Sequence, residues 1–348
     1  MIKLSEFKYS IGKDQIAEFP ADPRDNAKML VVDRESGELM DLEFKNIVDF
    51  FKKGDCLVLN DTKVFPARLF GKKEKTNAMI EVLLLRELNK EDRIWDVLVE
   101  PARKVRIGNK IYFDNNKFYC EVIDNTTSRG RTVRFSYEGD LFKVIERIGQ
   151  MPLPEYIKRD PNEHDKNTYQ TVFANSDNLS SIAPPKGGLH FTEEILQALE
   201  EKGVRIARIN LTIGQGIFEK IEVEDLTKHR MYSEEFNIGR EASEMINKSL
   251  KAKKNVFAAG TSVLRALESS VLTSGACKPN RGWTDKFIYP QYDFKIATRL
   301  ITNFQESASP QLLVSSAFAG KETIFKAYEH AKKNGYRFLA YGDSVLII

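Results

Sequence analysis

At 348 residues the chain is longer than one ordinary compact unit, and its length points to two domains, each able to bury its own core. With 42% hydrophobic and 30% charged residues it has the composition of a globular protein, which excludes a low-complexity or disordered chain. The net charge of +3 is too small by itself to announce nucleic-acid binding.

The opening segment MIKLSEFKYSIGKDQIAEFP lacks the apolar core of a signal peptide. No run approaches the roughly 20 apolar residues that a membrane span needs, so a cytoplasmic protein without a membrane contact is expected. Ala21–Asp33 passes from a polar turn into an apolar strand, and Arg24 and Asp25 at that turn suit either capping or ligand contact. Phe44–Phe51 has the spacing of a short helix stopped by Gly54, and Cys56–Asn60 reads as a buried strand. Asn60-Asp61-Thr62 then sits at a strand's carboxyl end, where small polar groups make turns and where α/β folds gather ligand-binding groups.

After Pro66 the texture changes. Ala67–Phe70, Ile80–Arg86, Trp95–Val99, Ile111–Phe113, Phe118–Ile123 and Thr132–Tyr137 are short, β-branched and aromatic, and separated by turns. They predict an all-β domain, a small antiparallel barrel, inserted over residues 66–152 into an α/β large domain formed by residues 1–65 and 153–348. From Pro66 to Pro152 there are 17 Lys and Arg against 13 Asp and Glu, a net of +4, while the remainder holds 36 against 37. Arg103, Lys104 and Arg106, with Arg129 and Arg131, fall in its loops, where they suit phosphate contact or plain solubility.

From Met151-Pro152-Leu153-Pro154 onward helical spacing returns. Pro184-Pro185 cannot continue a helix, Gly187-Gly188 frees the backbone, and Thr192 caps a helix ending at Gly203, so that an amino-terminal helix end stands behind a glycine turn beside His190. That arrangement suits an anion with a proton donor or acceptor at hand, or a plain strand-to-helix connection. Val204–Ile213 is a strand before Gly214-Gln215-Gly216, and Glu241–Lys253 an amphipathic helix. Asn255–Ala259 is a strand ending at Gly260-Thr261-Ser262, with a helix from Val263. Phe287–Pro290, Leu300–Phe304 and Val345–Ile348 supply further strands, the last preceded by Tyr341-Gly342-Asp343. Repeated strand, polar or glycine turn, helix units predict a site at the strands' carboxyl ends. Cys56, Cys120 and Cys277 form no CxxC pattern and there are four histidines, so neither a disulfide framework nor a metal is expected.

Together these segments resemble the S-adenosylmethionine:tRNA ribosyltransferase-isomerase family, over nearly the whole chain. The resemblance is carried by PRDNAKMLVVDR (Pro23–Arg34), GDCLVLNDTKVFPARLFGKK (Gly54–Lys73), WDVLVEPARKVRIG (Trp95–Gly108), MPLPEYIKR (Met151–Arg159), YQTVFA (Tyr169–Ala174) and GLHFT (Gly188–Thr192). It continues through EDLTKHRMYSE (Glu224–Glu234), the GTS…RALES stretch (Gly260–Ser269), DKFIYP (Asp285–Pro290), LITNF (Leu300–Phe304), SAFAG (Ser316–Gly320) and YGDSVLI (Tyr341–Ile347). It implies an α/β barrel-like large domain with an inserted all-β domain. The implied reaction moves the ribosyl part of S-adenosylmethionine onto 7-aminomethyl-7-deazaguanine at the tRNA wobble position, giving epoxyqueuosine and releasing adenine and methionine, with no metal. The tRNA anticodon arm is the implied partner. His190, Asp343 and His229 fall on family segments suited to proton transfer. Gly188, Thr261, Ser262, Arg265, Tyr341, Asn60, Asp61 and Thr62 fall on segments suited to contacts with S-adenosylmethionine.

The chain departs from the usual family form at several points. Pro184, Lys186 and Gly187 replace alanine, threonine and alanine of AAPTAGLHFT; Ser262 and Val263 replace threonine and serine of GTTS. Gln305 stands for a histidine and Glu306-Ser307 for Leu-Pro, and an amide cannot take up a proton as imidazole does. A diverged paralogue acting on another nucleoside or acceptor, or a catalytically silent RNA-binding relative, are therefore the alternative expectations.

Overall fold

The computed structural model describes residues 2–114, 117–127, 129–217 and 219–348. Short 3-10 helices at Leu4–Phe7, Lys13–Gln15 and Arg24–Asn26 precede β1 (Lys28–Val32) and β2 (Leu39–Glu43), which are followed by a 3-10 helix at Phe44–Phe50, the buried β3 (Cys56–Asn60) and the two-residue β4 (Lys63–Val64). Next come β5 (Arg68–Lys73), β6 (Met79–Asn89), β7 (Ile94–Glu100), β8 (Lys110–Asp114), β9 (Phe118–Asn125) and β10 (Gly130–Ser136). These six strands close into an antiparallel barrel in the order β10-β7-β6-β5-β8-β9. Alternation builds its interior: in β9, Phe118, Cys120 and Val122 are buried while Tyr119, Glu121 and Ile123 are less so. Helix α1 (Leu141–Ile148), capped by the Asp140 carboxylate on the Phe142 N–H, sets Leu141 and Ile145 into the same core.

Helical spacing after Met151 predicted more helix than forms there. Residues 151–178 are mostly irregular, with the four-residue α2 (Asp165–Thr168) the α-helical piece. Buried ion pairing replaces regular structure: Asp165 receives both terminal guanidinium nitrogens of Arg159 at 2.7 Å and the Tyr341 hydroxyl at 2.8 Å. After β11 (Leu179–Ser181), paired with β4, come α3 (Glu193–Glu201), β12 (Arg205–Leu211), β13 (Glu234–Ile238), α4 (Arg240–Lys251), β14 (Val256–Ala259), α5 (Thr261–Glu268) and β15 (Asn280–Thr284). The chain ends with β16 (Arg299–Asn303), α6 (Pro310–Ala319), α7 (Lys321–Lys333) and β17 (Ser344–Ile347). Phe287–Pro290, expected as a strand, is irregular; Phe287 instead packs on Tyr289 and His229, with ring centroids 5.1 and 4.7 Å apart.

The large sheet has nine strands in the order β15-β13-β12-β3-β14-β16-β17-β1-β2. At its centre β12, β3, β14 and β16 run parallel, and β3 and β14 are buried at every position, as strands covered on both faces require. Successive side chains therefore enter different cores. Leu300 and Phe304 join Cys56 and Val58 on one face, whereas Ile301 joins Leu57, Leu59 and Phe191 on the other. The four parallel strands end at Asn60, Leu211, Ala259 and Asn303, so the loops that follow them emerge at one edge. Among the described residues no helix is long and apolar enough to cross a membrane.

Candidate functional site

The loops leaving the parallel strands line one cleft. It encloses about 670 Å³, solvent at its open mouth included, and gathers Pro185 to Gly187, Ile213, Gly260 to Ser262, Thr302 and Gln305. Backbone geometry makes this convergence possible. Gly260 has φ +106°, a value that disfavours any side chain, and begins α5 directly from β14. Gly187 lies against it: a Cβ there would come within 2.7 Å of the Ile301 carbonyl oxygen and 3.0 Å of the Gly260 nitrogen. Glycine is thus required for the two loops to touch. Thr192 caps α3 by accepting from the Ile195 N–H, as its position before the helix predicts.

Of the residues singled out in the sequence, Thr261, Ser262 and Arg265 line the cleft. Asn60 stands beside it, donating to the Leu211 carbonyl at 2.9 Å and to Ser262 Oγ at 3.3 Å. Asp61 and Thr62 tie neighbouring segments together. Asp61 Oδ1 accepts from Asn178 and Asn210, and Thr62 Oγ1 pairs with Ser181 Oγ at 2.6 Å. Burial raises the Asp61 carboxyl's affinity for a proton, an effect the surrounding amides only partly offset.

His190, Asp343, Tyr341, Gly188 and His229 do not line the cleft. Strand alternation explains His190. Thr302 faces the cleft, so its neighbour Asn303 points to the opposite face, where its Oδ1 lies 3.3 Å from His190 Nε2. His190 is 4% exposed and packs on Phe44; burial lowers its pKa to about 4, against the smaller opposing effects of Asn303 and Asp343. Asp343 is consumed by structure, accepting from the backbone N–H groups of Lys28 and Arg337 and from the Arg337 guanidinium. Tyr341 donates to Asp165, and burial of its ring raises its pKa. A Cβ on Gly188 would meet Phe173 Cζ at 2.7 Å, so that glycine serves packing.

Sequence reasoning passed over Glu234, Met231, Thr302 and Gln311, all of which line the cleft. Glu234, Met231 and Thr302 lie inside family-like segments, but nothing in those segments marks them above their neighbours. Glu234 forms a buried ion pair with Arg265, whose Nε and Nη2 donate to the carbonyls of Lys286 and Thr284. Gln305 is also buried, its amide donating to Thr302 Oγ1 at 2.7 Å.

A second, larger cleft runs between the barrel and the sheet edge. Arg86, Trp95 and Phe142 line it from the barrel side, and Tyr232, Glu235 and Trp283 from the sheet side. Glu234 lines both clefts. Trp283 is 52% exposed and carries the Arg86 guanidinium 5.1 Å above its ring. On the barrel, Arg103, Lys104, Arg106 and Arg129 are exposed as expected. Arg131 is a correction: it lies in β10, not in a loop, is 7% exposed, and donates to the carbonyls of Val105, Ala102 and Gly130. The first two of those carbonyls lie at the turn after β7, so Arg131 holds that turn in place.

The profile of the family described as "Queuosine biosynthesis protein" matches residues 4–347. The chain belongs to that family. It is 53% identical over 349 residues to a protein of Chloroherpeton thalassium, covering 99% of this chain and 100% of that one, and 52% identical over 350 residues to one of Cytophaga hutchinsonii, covering both completely. Both relatives are named S-adenosylmethionine:tRNA ribosyltransferase-isomerase. The crystal structure of S-adenosylmethionine tRNA ribosyltransferase from Thermotoga maritima is similar at a TM-score of 0.55 and 28% identity, covering 99% of this chain and 100% of that one. The match extends over barrel and sheet alike.

Proposed function

We propose that the chain is an S-adenosylmethionine:tRNA ribosyltransferase-isomerase of queuosine biosynthesis. The observation that carries this is the single cleft lined from the carboxyl ends of three of the four parallel strands, β12, β14 and β16, in a chain matched end to end by relatives of that name. The ribosyl part of S-adenosylmethionine moves onto 7-aminomethyl-7-deazaguanine at the wobble position of a tRNA, and adenine and methionine leave. The nucleoside occupies the smaller cleft against Gly260, Thr261 and Ser262, with Asn60 holding Ser262. The RNA anticodon arm lies along the cleft between barrel and sheet, on Trp283, and the exposed Arg103, Lys104, Arg106 and Arg129 of the barrel meet its phosphates. In this reading residues 66–152 are the RNA-gripping insertion, residues 1–65 with 153–348 are the catalytic domain, and the protein works in the cytoplasm.

The sulfonium acidifies the adjacent ribose carbon, and a base has to stand within about 3 Å of that proton, directly or through one water. Glu234 is the carboxylate among the described lining residues of the nucleoside cleft, and it borders the RNA cleft too. We assign it the proton-accepting role in place of His190, Asp343 and His229, which lie outside this cleft, with Arg265 and the Gly214 N–H, which donates to Oε1 at 3.1 Å, fixing its orientation. The part-apolar cleft also favours the neutral, nucleophilic form of the acceptor amine.

The test is incubation with labelled S-adenosylmethionine and tRNA bearing the aminomethyl-deazaguanine base. Modified base together with free adenine and methionine supports the reading. S-adenosylmethionine binding without that product points to a different acceptor, and tRNA retention without S-adenosylmethionine binding points to an RNA-binding relative.

A further inference from the structure

We infer that a side pocket of the nucleoside cleft holds the amino-acid head of the sulfonium substrate, with Lys186 on the carboxylate and Glu306 on the ammonium; this rests on the proposed function. The side pocket encloses about 400 Å³, solvent at its mouth included, and is bordered by Tyr156, Lys186, Gln305, Glu306 and Gln311. It shares Lys186, Ile217, Gln305 and Gln311 with the cleft, so the two adjoin.

An α-amino acid head is a zwitterion and needs a cation and an anion in one small space. Of the cations lining the cleft, Arg265 is fully engaged by Glu234 and by two backbone carbonyls. Lys186 is different: its Nζ donates to the Tyr156 hydroxyl at 3.3 Å, and no carboxylate partners it among the described residues. A half-buried ammonium without a counterion is unfavourable, and an arriving carboxylate relieves that cost. Glu306 is exposed and likewise forms no ion pair among the described residues. Both side chains hang from fixed backbone. Gly187, next to Lys186, is wedged against β16 and Gly260, and the Gln305 N–H, next to Glu306, donates to the Tyr328 hydroxyl at 2.8 Å. Opposite charges thus border one pocket on backbone that is already held in place.

The experiment compares S-adenosylmethionine with its decarboxylated counterpart on the wild-type protein and on Lys186→Ala, Lys186→Arg and Glu306→Gln, with thermal unfolding recorded for each. Wild type is expected to bind the carboxylate-bearing compound about tenfold more tightly, the scale of one charge-assisted hydrogen bond. Lys186→Ala should raise KM for S-adenosylmethionine about tenfold with kcat and the KM for tRNA little changed, and should leave the inhibition constant of the decarboxylated compound where it was. Lys186→Arg should restore most of the discrimination, and Glu306→Gln should weaken both compounds alike, since both keep the ammonium. Equal binding of the two compounds by wild type overturns the assignment without any variant. A Lys186→Ala effect on tRNA, or an equal effect on both compounds, overturns it as well. A wild-type protein that makes no modified tRNA would defeat the proposed function instead, so the two failures are distinguishable.

Discussion

Glu234 and Arg265 form an ion pair whose side chains are 8% and 10% exposed, and it stands where the nucleoside cleft meets the cleft between barrel and sheet. Removing one member strands the other charge in a desolvated place, at a cost of roughly 3–5 kcal/mol. Glu234→Gln and Arg265→Met should each lower the urea midpoint of unfolding. The double variant should lose less than the two single losses together, because no orphaned charge remains. Glu234→Gln should in addition abolish turnover at temperatures where the variant is folded, and a folded variant of wild-type kcat would remove Glu234 from the proton-accepting role.

Gly187 provides a separate test of how the cleft is assembled. A methyl group there meets the Ile301 carbonyl oxygen and the Gly260 backbone, neither of which is the end of a flexible side chain. Gly187→Ala should therefore push the Pro184–Gly188 turn off α5, costing about 1–3 kcal/mol of stability as overpacking does. S-adenosylmethionine affinity should fall much more than tRNA affinity, measured by equilibrium titration of each.

His190 should report on pH. Burial holds its folded pKa near 4 against an unfolded value of about 6.5, so the unfolded chain binds the extra proton between those values. Its contribution is present above about pH 6.5 and is lost as pH falls toward 4, amounting to roughly 3 kcal/mol in full. Urea midpoints from pH 7 to 4 should fall more steeply for wild type than for His190→Gln, whose amide can still meet Asn303. Parallel curves would show that His190 is not buried in neutral form.

How far the sequence discloses this arrangement depends on the kind of signal. Strand alternation in the barrel and the continuous apolar run Cys56–Leu59 are local patterns, and both can be read directly from the order of the residues. The glycine and hydroxyl residues at Gly260, Thr261 and Ser262 are legible too, since a turn between strand and helix restricts residue type. Long-range pairing is not. Nothing near Glu234 announces Arg265, 31 positions away, and nothing near Asn303 says that His190 faces it across the sheet from Thr302. The irregular stretch 151–178 shows the same limit from the other side: Asp165, Arg159 and Tyr341 hold it by contacts that leave no period in the sequence.

Arg131 and its neighbours on the barrel should separate by role. Arg131 is a buried tie between β10 and the turn after β7, so Arg131→Ala should destabilise the protein by about 1–3 kcal/mol through unsatisfied carbonyls. Arg103→Ala, Lys104→Ala and Arg106→Ala should leave the unfolding midpoint nearly unchanged. They should weaken tRNA binding and lower its salt dependence, the slope falling by about 0.7–0.9 for every phosphate that is no longer neutralised. Salt titrations of filter-bound tRNA would check this, and an unchanged slope in the triple variant would place the RNA elsewhere.

Trp283 offers the sharpest test of the RNA path. Its indole is 52% exposed on the edge strand β15, where Trp283 pairs with Glu235 of β13, and the guanidinium of Arg86 reaches it from the barrel side. An exposed indole contributes little to the fold, whereas a nucleobase stacked on it gains about 1–3 kcal/mol. Trp283→Ala should therefore raise KM for tRNA at least fivefold while leaving KM for S-adenosylmethionine and the unfolding midpoint near wild type. Trp283→Phe keeps a stacking face and should recover most of the loss. Arg86→Ala should give a smaller loss in the same direction and little further loss when combined with Trp283→Ala, because the guanidinium acts through that ring. Additive effects of the two substitutions would mean that Arg86 meets the RNA independently, and no effect of either would move the anticodon arm out of this cleft.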